Sequence, residues 1–152
     1  MQQKGNKKAL LTIFLITLLA VMGVASLTPA FPTIARHFGL DMGEIGLLIT
    51  AFTIPGIFMA PLMGILADRL GRKAVLIPSL ILFGLAGAAC AFTDDFNLLL
   101  LFRVFQGLGA ASLGSLNITL IGDLFEGNRR AAVMGYNASV LSVGTASYPA
   151  IG

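Results

Sequence analysis

The chain has little charge and few of the side chains that hold metals or carry out catalysis. Only 11% of its 152 residues are charged, against roughly 25% in an average soluble domain. It has one cysteine, Cys90, and one histidine, His37. A lone cysteine excludes an internal disulfide framework. No cluster of histidine, cysteine and carboxylate side chains lies in the apolar runs, so we expect neither a metal site nor an enzyme.

Long uncharged runs fill the chain instead. Four of them lie between charged residues, from Ala9 to Ala35, Ile45 to Ala67, Ala74 to Thr93 and Val104 to Gly122, and a fifth runs from Ala131 to Gly152. Each supplies the roughly 20 residues that a helix needs to cross about 30 Å of hydrocarbon. The sequence therefore predicts an all-α membrane protein, a polytopic helix bundle with spans near 9–30, 45–67, 74–93, 97–122 and 131–152.

The N-terminal lysines and the apolar run after them resemble a signal peptide. That run is longer than the roughly 7–15 residues of a signal-peptide core, and four further spans follow. We therefore expect the first span to be retained.

Lysine and arginine are distributed unevenly over the predicted loops. With a cytoplasmic N-terminus, the inner segments hold Lys4, Lys7, Lys8, Arg69, Arg72, Lys73, Arg129 and Arg130. The outer segments hold only Arg36, beside the acidic Asp41, Glu44, Asp94 and Asp95. Positive charge favours the cytoplasmic side of a membrane. We predict a multi-pass protein of the cytoplasmic membrane with its N-terminus inside, and we attribute the net charge of +3 to topology rather than to nucleic-acid binding. His37, in an outer loop, is expected to be a solvated surface residue.

Small residues and prolines interrupt the apolar runs. Gly56, Ala60 and Gly64 recur every four residues in the second span, which places them on one helix face and predicts close helix packing. Pro55 and Pro61 are expected to bend the same helix.

The fourth span carries a charge. Its polar and small residues fall within about 100° of arc at 100° per residue, namely Arg103, Gln106, Gly107, Ala110, Gly114 and Asn117. Arg103 either faces the interior of the bundle or a cavity, or extends to the outer membrane surface. The neighbours Gln106 and Asn117 on its face favour the inward direction.

A charged turn separates the second and third spans. In the predicted orientation, Asp68 and Asp123 each end a helix, where the negative end of the helix dipole disfavours an acid. Both acids therefore require cationic partners or the N-terminus of another helix, and we predict a cytoplasmic cluster of Asp68, Arg72 and Asp123. Gly71 supplies the backbone freedom for a sharp turn. For Arg69 and Lys73 a solvated, topology-setting role is the favoured interpretation.

Four segments carry a resemblance that covers essentially the whole chain. The turn, Gly64-x-x-x-Asp68-Arg69-x-Gly71-Arg72-Lys73, resembles the signature between spans two and three of the major facilitator superfamily. The other three are similar to the signatures of its first, fourth and fifth spans, the first and the fifth as in drug:proton antiporters. They read Pro29-Ala30-x-Pro32-x-Ile34-Ala35, Arg103-x-x-Gln106-Gly107-x-Gly109-x-Ala111 and Gly144-x-x-x-Tyr148-Pro149-x-x-Gly152.

The resemblance implies a fold of twelve helices in two six-helix halves that work by alternating access, of which this chain would be an incomplete N-terminal domain. It implies a conformational latch at Gly64, Asp68, Arg69, Gly71, Arg72 and Asp123. It gives Arg103, Gln106 and Asn117 a role in lining the cavity or in coupling transport to its driving ion. It assigns a helix-packing motif to Gly107, Gly144, Pro149 and Gly152. The implied function is proton-coupled efflux of drugs or other small molecules, with no cofactor beyond the proton gradient. The expected partners are membrane lipid, a small-molecule substrate and a missing C-terminal half, without nucleic acid.

Two departures keep alternatives open. Tyr148 stands where the fifth-span pattern of the family has glycine, and the first span lacks an acidic residue. Both leave room for an importer of sugars or organic anions in the same superfamily. A non-transporting membrane scaffold is the third alternative.

Overall fold

Six α-helices and one short 3-10 turn make up the described part of the chain. The computed structural model describes residues 2–25 and 27–151, with side chains for 9–25, 27–41 and 43–147. The helices are α1 (Gln2–Ala25), α2 (Phe31–Phe38), α3 (Met42–Leu70), α4 (Arg72–Cys90), α5 (Phe96–Leu124) and α6 (Gly127–Ile151), and the 3-10 turn covers Thr28–Ala30. No strand occurs within these described ranges. The predicted all-α class is confirmed.

Four segments of the described chain are long and apolar enough to cross a membrane. They are Ala9–Phe38, Gly43–Leu70, Arg72–Cys90 and Phe96–Leu124. The fifth predicted span falls on α6, which is less apolar and is not among the four; Gly152 lies outside the described residues. At 1.5 Å per residue, the 25 residues of α6 extend over about 37 Å.

Acidic residues fix where two of the long helices begin. The Asp41 carboxylate accepts from the Glu44 backbone N–H at 2.8 Å, and the Glu44 carboxylate accepts from the Asp41 N–H at 3.0 Å. This reciprocal pair satisfies free N–H groups at the start of α3. Asp95 caps α5 by accepting from the N–H groups of Asn97 and Leu98 at 2.8 and 3.1 Å.

Helix α5 is the centre of the bundle. It packs along α3 and α4 and also contacts α1 and α6. Its buried residues join three apolar clusters: Leu113 with Ile16, Phe52 and Phe83; Leu116 with Ala67 and Val75; and Ile121 with Ile13, Phe125 and Val133. The helix that holds the intramembrane arginine is thus also the one that organises the core.

Close helix approach occurs at α5 rather than at the α3 stripe. A Cβ on Gly107 would collide with the backbone carbonyl of Phe52, and one on Gly109 would lie 2.8 Å from the Ser79 carbonyl oxygen. A Cβ on Gly56 or Gly64 would meet nothing within 4 Å among the described residues. The expected close packing therefore does not occur at the two glycines of the α3 stripe, within the described part of the chain.

The prolines divide into two groups. Pro55 and Pro61 lie inside α3, which remains one helix of 29 residues, and Pro78 lies inside α4. Pro29 and Pro32 instead stand in the first positions of the 3-10 turn and of α2, where their missing N–H costs no hydrogen bond.

Candidate functional site

A charge cluster of Asp68, Arg72 and Asp123 joins three helices at one end of the bundle. Arg72 Nη2 lies 2.5 Å from Asp123 Oδ2 and 3.7 Å from Asp68 Oδ1. Asp68 stands in the last turn of α3, Arg72 begins α4, and Asp123 stands in the last turn of α5. Arg72, at the start of α4, thus lies between Asp68 and Asp123. Each of these acids stands at the C-terminus of its own helix, where the helix dipole disfavours a negative charge.

The backbone around Gly71 makes this contact possible. Gly71 is the single residue between α3 and α4, and its φ of +93° is a conformation that favours glycine. Its N–H donates to the Ala67 carbonyl at 3.0 Å, and its own carbonyl accepts from the Ala74 N–H at 3.1 Å. The turn is therefore hydrogen-bonded to both helices, and it keeps Arg72 near Asp68.

The cluster is only partly shielded from solvent. The side chain of Arg72 is 24% exposed, while those of Asp123 and Asp68 are 51% and 67% exposed. Ion pairs at such exposure contribute about 0–1 kcal/mol. Arg69 and Lys73 are exposed beside the cluster. Gly64 lies one helical turn before Asp68, and a Cβ there would meet none of the described residues within 4 Å.

Arg103 is buried inside the bundle. It is 5% exposed, and its Nη1 donates to the Gly23 carbonyl at 2.9 Å and to Gln106 Oε1 at 2.8 Å. The side chain thus binds α1 and its own helix instead of extending to the outer surface. The position of Gly23 has no room for a side chain, because a Cβ there would lie 2.9 Å from Phe83.

Gln106 extends this polar contact toward α4. Its amide nitrogen would lie 2.8 Å from a Cβ on Gly87, so the small residue of α4 leaves room for the amide. Arg103 and Gln106 therefore form one buried polar unit on α5, which is hydrogen-bonded to α1 and packs against α4 at Gly87.

Asn117 belongs to a second buried unit. Its Nδ2 donates to Thr17 Oγ1 on α1, and it also lies 3.4 Å from Asn137 Oδ1 on α6. Thr17 Oγ1 is in hydrogen-bond contact with the same Asn137 oxygen. A hydroxyl has one proton, so Thr17 accepts from Asn117 and donates to Asn137 or to its own Ile13 carbonyl. The three side chains tie α1, α5 and α6 together.

A groove of about 770 Å³ runs between α1, α3 and α5. Its lining includes Gly56 and Ala60 of α3 and Gly107, Ala110 and Gly114 of α5. Arg103 instead borders a space of only about 10 Å³ beside Gly23 and Phe52. The single polar face predicted for α5 is thus divided between two buried polar units and one apolar groove.

The acids at the opposite end of the bundle already have structural partners. Asp41, Glu44 and Asp95 cap helices, and Asp94 Oδ1 lies 3.5 Å from His37 Nε2 with both side chains exposed. Sequence reasoning missed the partners of the buried polar groups, above all Thr17 and Gly23. Thr17 is one of several hydroxyl residues in its apolar run, and the sequence shows no sign of which helix it meets.

The residues of the predicted packing motif are only partly described. Gly107 makes the tight contact with α3, and Gly144 is buried in α6. The side chain of Pro149 and the whole of Gly152 lie outside the described residues.

Comparison with known proteins identifies the fold. A profile of the Major Facilitator Superfamily matches residues 13–152. The chain belongs to this superfamily. It is therefore a multi-pass membrane protein of a transporter family.

Two superfamily relatives are similar along most of the chain. The "Bacillibactin exporter" of Bacillus subtilis (strain 168) is 32% identical over 126 residues, which are 80% of this chain and 31% of the relative. The "Quinolone resistance protein NorA" of Staphylococcus aureus (strain Mu50 / ATCC 700699) is 31% identical over 147 residues, which are 97% of this chain and 38% of the relative. The chain thus spans about a third of the length of these superfamily members.

A solved superfamily-type structure has the same arrangement of helices. It is a bacterial homologue of the human lysosomal transporter Spinster in an inward-facing, unoccupied conformation. The match has a TM-score of 0.79 and 27% sequence identity, and covers 93% of this chain and 30% of that one.

Proposed function

We propose that these helices form part of a secondary active transporter that exports drugs or other small molecules by alternating access. The observation that carries the proposal is the 31% identity over 97% of the chain to a quinolone resistance protein. The similarity to a bacillibactin exporter supports the same direction of transport. The pattern of Gly144, Pro149 and Gly152 agrees with it, since that motif resembles the antiporter signature.

The charge cluster is proposed to act as a conformational latch. Its members stand on three helices, so a relative movement of those helices changes the distance between Arg72 and its two carboxylates. An exposed ion pair of this kind contributes about 1 kcal/mol or less. It can therefore shift the equilibrium between two transporter conformations without making either one permanent. Arg69, Gly64 and Gly71 belong to the same signature, and Gly71 holds the turn in shape.

Arg103 and Gln106 are proposed to couple transport to the proton gradient, with Asn117 supporting the neighbouring helices. An intramembrane arginine is costly and marks function by default. The described part of α1 carries no acidic residue, so we place the coupling carboxylate in the remaining part of the transporter. We expect no cofactor and no enzymatic activity.

The proposed location is the cytoplasmic membrane, with the N-terminus and the charge cluster inside. The distribution of lysine and arginine supports this orientation. The proposed partners are membrane lipid, a small-molecule substrate and a second helical half that closes the groove between α1, α3 and α5. We propose no nucleic-acid partner.

Vesicle transport by the full-length protein tests the function. Inverted membrane vesicles with an acidic lumen should accumulate a fluorescent quinolone, and a protonophore should abolish the accumulation. Right-side-out vesicles with an outward-acidic gradient should not concentrate it. Proton-dependent uptake of sugars or organic anions in right-side-out vesicles, without quinolone export, would instead identify an importer, the alternative that Tyr148 leaves open. Absence of any flux would favour a scaffold.

A further inference from the structure

A second groove, the α3–α4 groove, lies between α3 and α4 with α5 as its floor. It has a volume of about 310 Å³. Met59 and Leu70 mark its ends on α3, Ala74 and Leu82 mark them on α4, and Leu108 and Ser112 lie on the floor. The groove exists because α3 and α4 both pack mainly on α5 and contact each other less.

The groove extends over the depth of one membrane leaflet. From Met59 to Leu70 is eleven residues, or about 16 Å along the helix axis at 1.5 Å per residue. That is about half of the 30 Å hydrocarbon core. The groove ends at Leu70 and Ala74, beside the charge cluster.

The surface around the groove is strongly apolar. Ile77, Ile81 and Leu85 form a stripe on α4 and are 54%, 56% and 66% exposed. Leu66 and Leu70, on the α3 wall, are 40% and 63% exposed. In a membrane-spanning helix, such a surface suits contact with acyl chains.

Two basic residues are sequence neighbours of the lining residues at the charged end of the groove, although neither lines it. Arg69 directly precedes Leu70, and Lys73 directly precedes Ala74. Both are exposed, and neither forms an ion pair within the described part of the chain. Arg72, in contrast, is held by Asp68 and Asp123.

We propose that the α3–α4 groove binds one acyl chain of an anionic phospholipid from the cytoplasmic leaflet, whose phosphate contacts Arg69 and Lys73. The apolar length matches one leaflet, and the charge of the two basic residues complements the headgroup. The proposal rests on the orientation proposed above, because it needs this end of the bundle to face the cytoplasm. It gives Arg69 and Lys73 a role beyond topology.

Lipid binding to the full-length protein tests the proposal without any transport measurement. Native mass spectrometry would follow the binding of phosphatidylglycerol to the wild type, to Ala74→Phe and to Ala88→Phe. Both alanines are exposed on α4, but only Ala74 lines the groove. We expect at least tenfold weaker binding of the first lipid to Ala74→Phe and unchanged binding to Ala88→Phe. Equal binding to all three proteins would overturn the proposal.

The headgroup is tested separately. Wild-type protein should bind phosphatidylglycerol at least fivefold more tightly than phosphatidylcholine, and Arg69→Gln combined with Lys73→Gln should remove the preference. No preference in the wild type would contradict the proposed contact.

A cross-linking map covers the case in which Ala74→Phe does not fold. Phosphatidylglycerol with a photoreactive acyl chain should label the wild-type peptides that contain Met59–Leu70 and Ala74–Leu82. Labelling confined to other helices would refute the site, including the case in which the rest of the polypeptide covers the groove.

Discussion

At the scale of single residues, Arg103 is the side chain whose shape matters most. One nitrogen of its planar guanidinium reaches two acceptors, on Gly23 and Gln106, while the charge stays buried between helices. Lysine supplies the same charge on a flexible stem and lacks the planar fork. Replacing Arg103 by lysine therefore separates the effect of the positive charge from the effect of the guanidinium geometry.

Arg103→Lys is expected to reduce the transport rate at least about tenfold while membrane insertion is retained. The reason is that the lysine ammonium, on a shorter and flexible stem, does not occupy the position of the guanidinium nitrogen that reaches both acceptors. One hydrogen bond to a charged group, worth about 1.5–3 kcal/mol, is then lost. Initial rates in vesicles, normalised to the amount of inserted protein, measure the effect. Arg36→Lys is the matched control, because Arg36 is exposed and bonds only to the Pro32 carbonyl of its own helix among the described contacts. Full activity of Arg103→Lys would exclude a geometrically demanding role.

Gly107 is a residue whose missing side chain determines packing. Gly107→Ala is expected to destabilise the protein by about 1–3 kcal/mol, because its Cβ would meet the Phe52 backbone, which cannot rotate away. Gly114→Ala, on the same helix, places its Cβ where none of the described residues comes within 4 Å. It should be neutral or stabilising, since alanine favours a helix over glycine by about 1 kcal/mol.

Thermal unfolding of the purified full-length protein compares the two variants. A melting temperature for Gly107→Ala equal to that of Gly114→Ala would show that α3 and α5 do not pack this closely.

At the scale of helices, the charge cluster connects α3, α4 and α5 through one guanidinium. Asp123→Asn removes the short contact to Arg72, and Asp68→Asn removes the longer one. Each variant should lower the transport rate several-fold with little change in membrane insertion, because the contacts are too exposed to hold the fold together.

The same change at the other end of the bundle provides the control. Asp94→Asn breaks an exposed pair with His37 and should leave transport unchanged. Loss of insertion in Asp68→Asn or Asp123→Asn would point to a folding role of the cluster instead.

Helix-scale features of this chain differ in how far the sequence predicts them. The grouping of Asp68, Arg72 and Asp123 follows from dipoles and charge alone, and the structure brings the three together. The close approach at Gly107 and the open face at Gly56 depend instead on which helices become neighbours. Both glycines lie in similar small-residue patterns, so the pattern could not distinguish them. The Thr17–Asn117–Asn137 contact is beyond sequence reasoning for the same reason, since it needs the relative rotation of three helices.

At the scale of the whole molecule, the orientation in the membrane decides which surfaces meet the cytoplasm. Asp94→Cys and Glu126→Cys place thiols at opposite ends of the bundle, at two exposed positions. In a full-length protein without other reactive cysteines, a membrane-impermeant maleimide should label Asp94→Cys in intact cells. Glu126→Cys should react only after the membrane is opened, because positively charged segments stay inside. The reverse labelling would invert the proposed topology.

The link of one residue between α3 and α4 also determines which changes of length the gene can tolerate. Adding a residue beside Gly71 would turn α4 by about 100°, moving Arg72 away from Asp123 and the Ala74 face away from its groove. At the other end of α4, residues 91–95 separate it from α5. An inserted residue there can lengthen this loop without rotating either helix. Insertions and deletions should therefore accumulate at one end of this helix and be eliminated at the other.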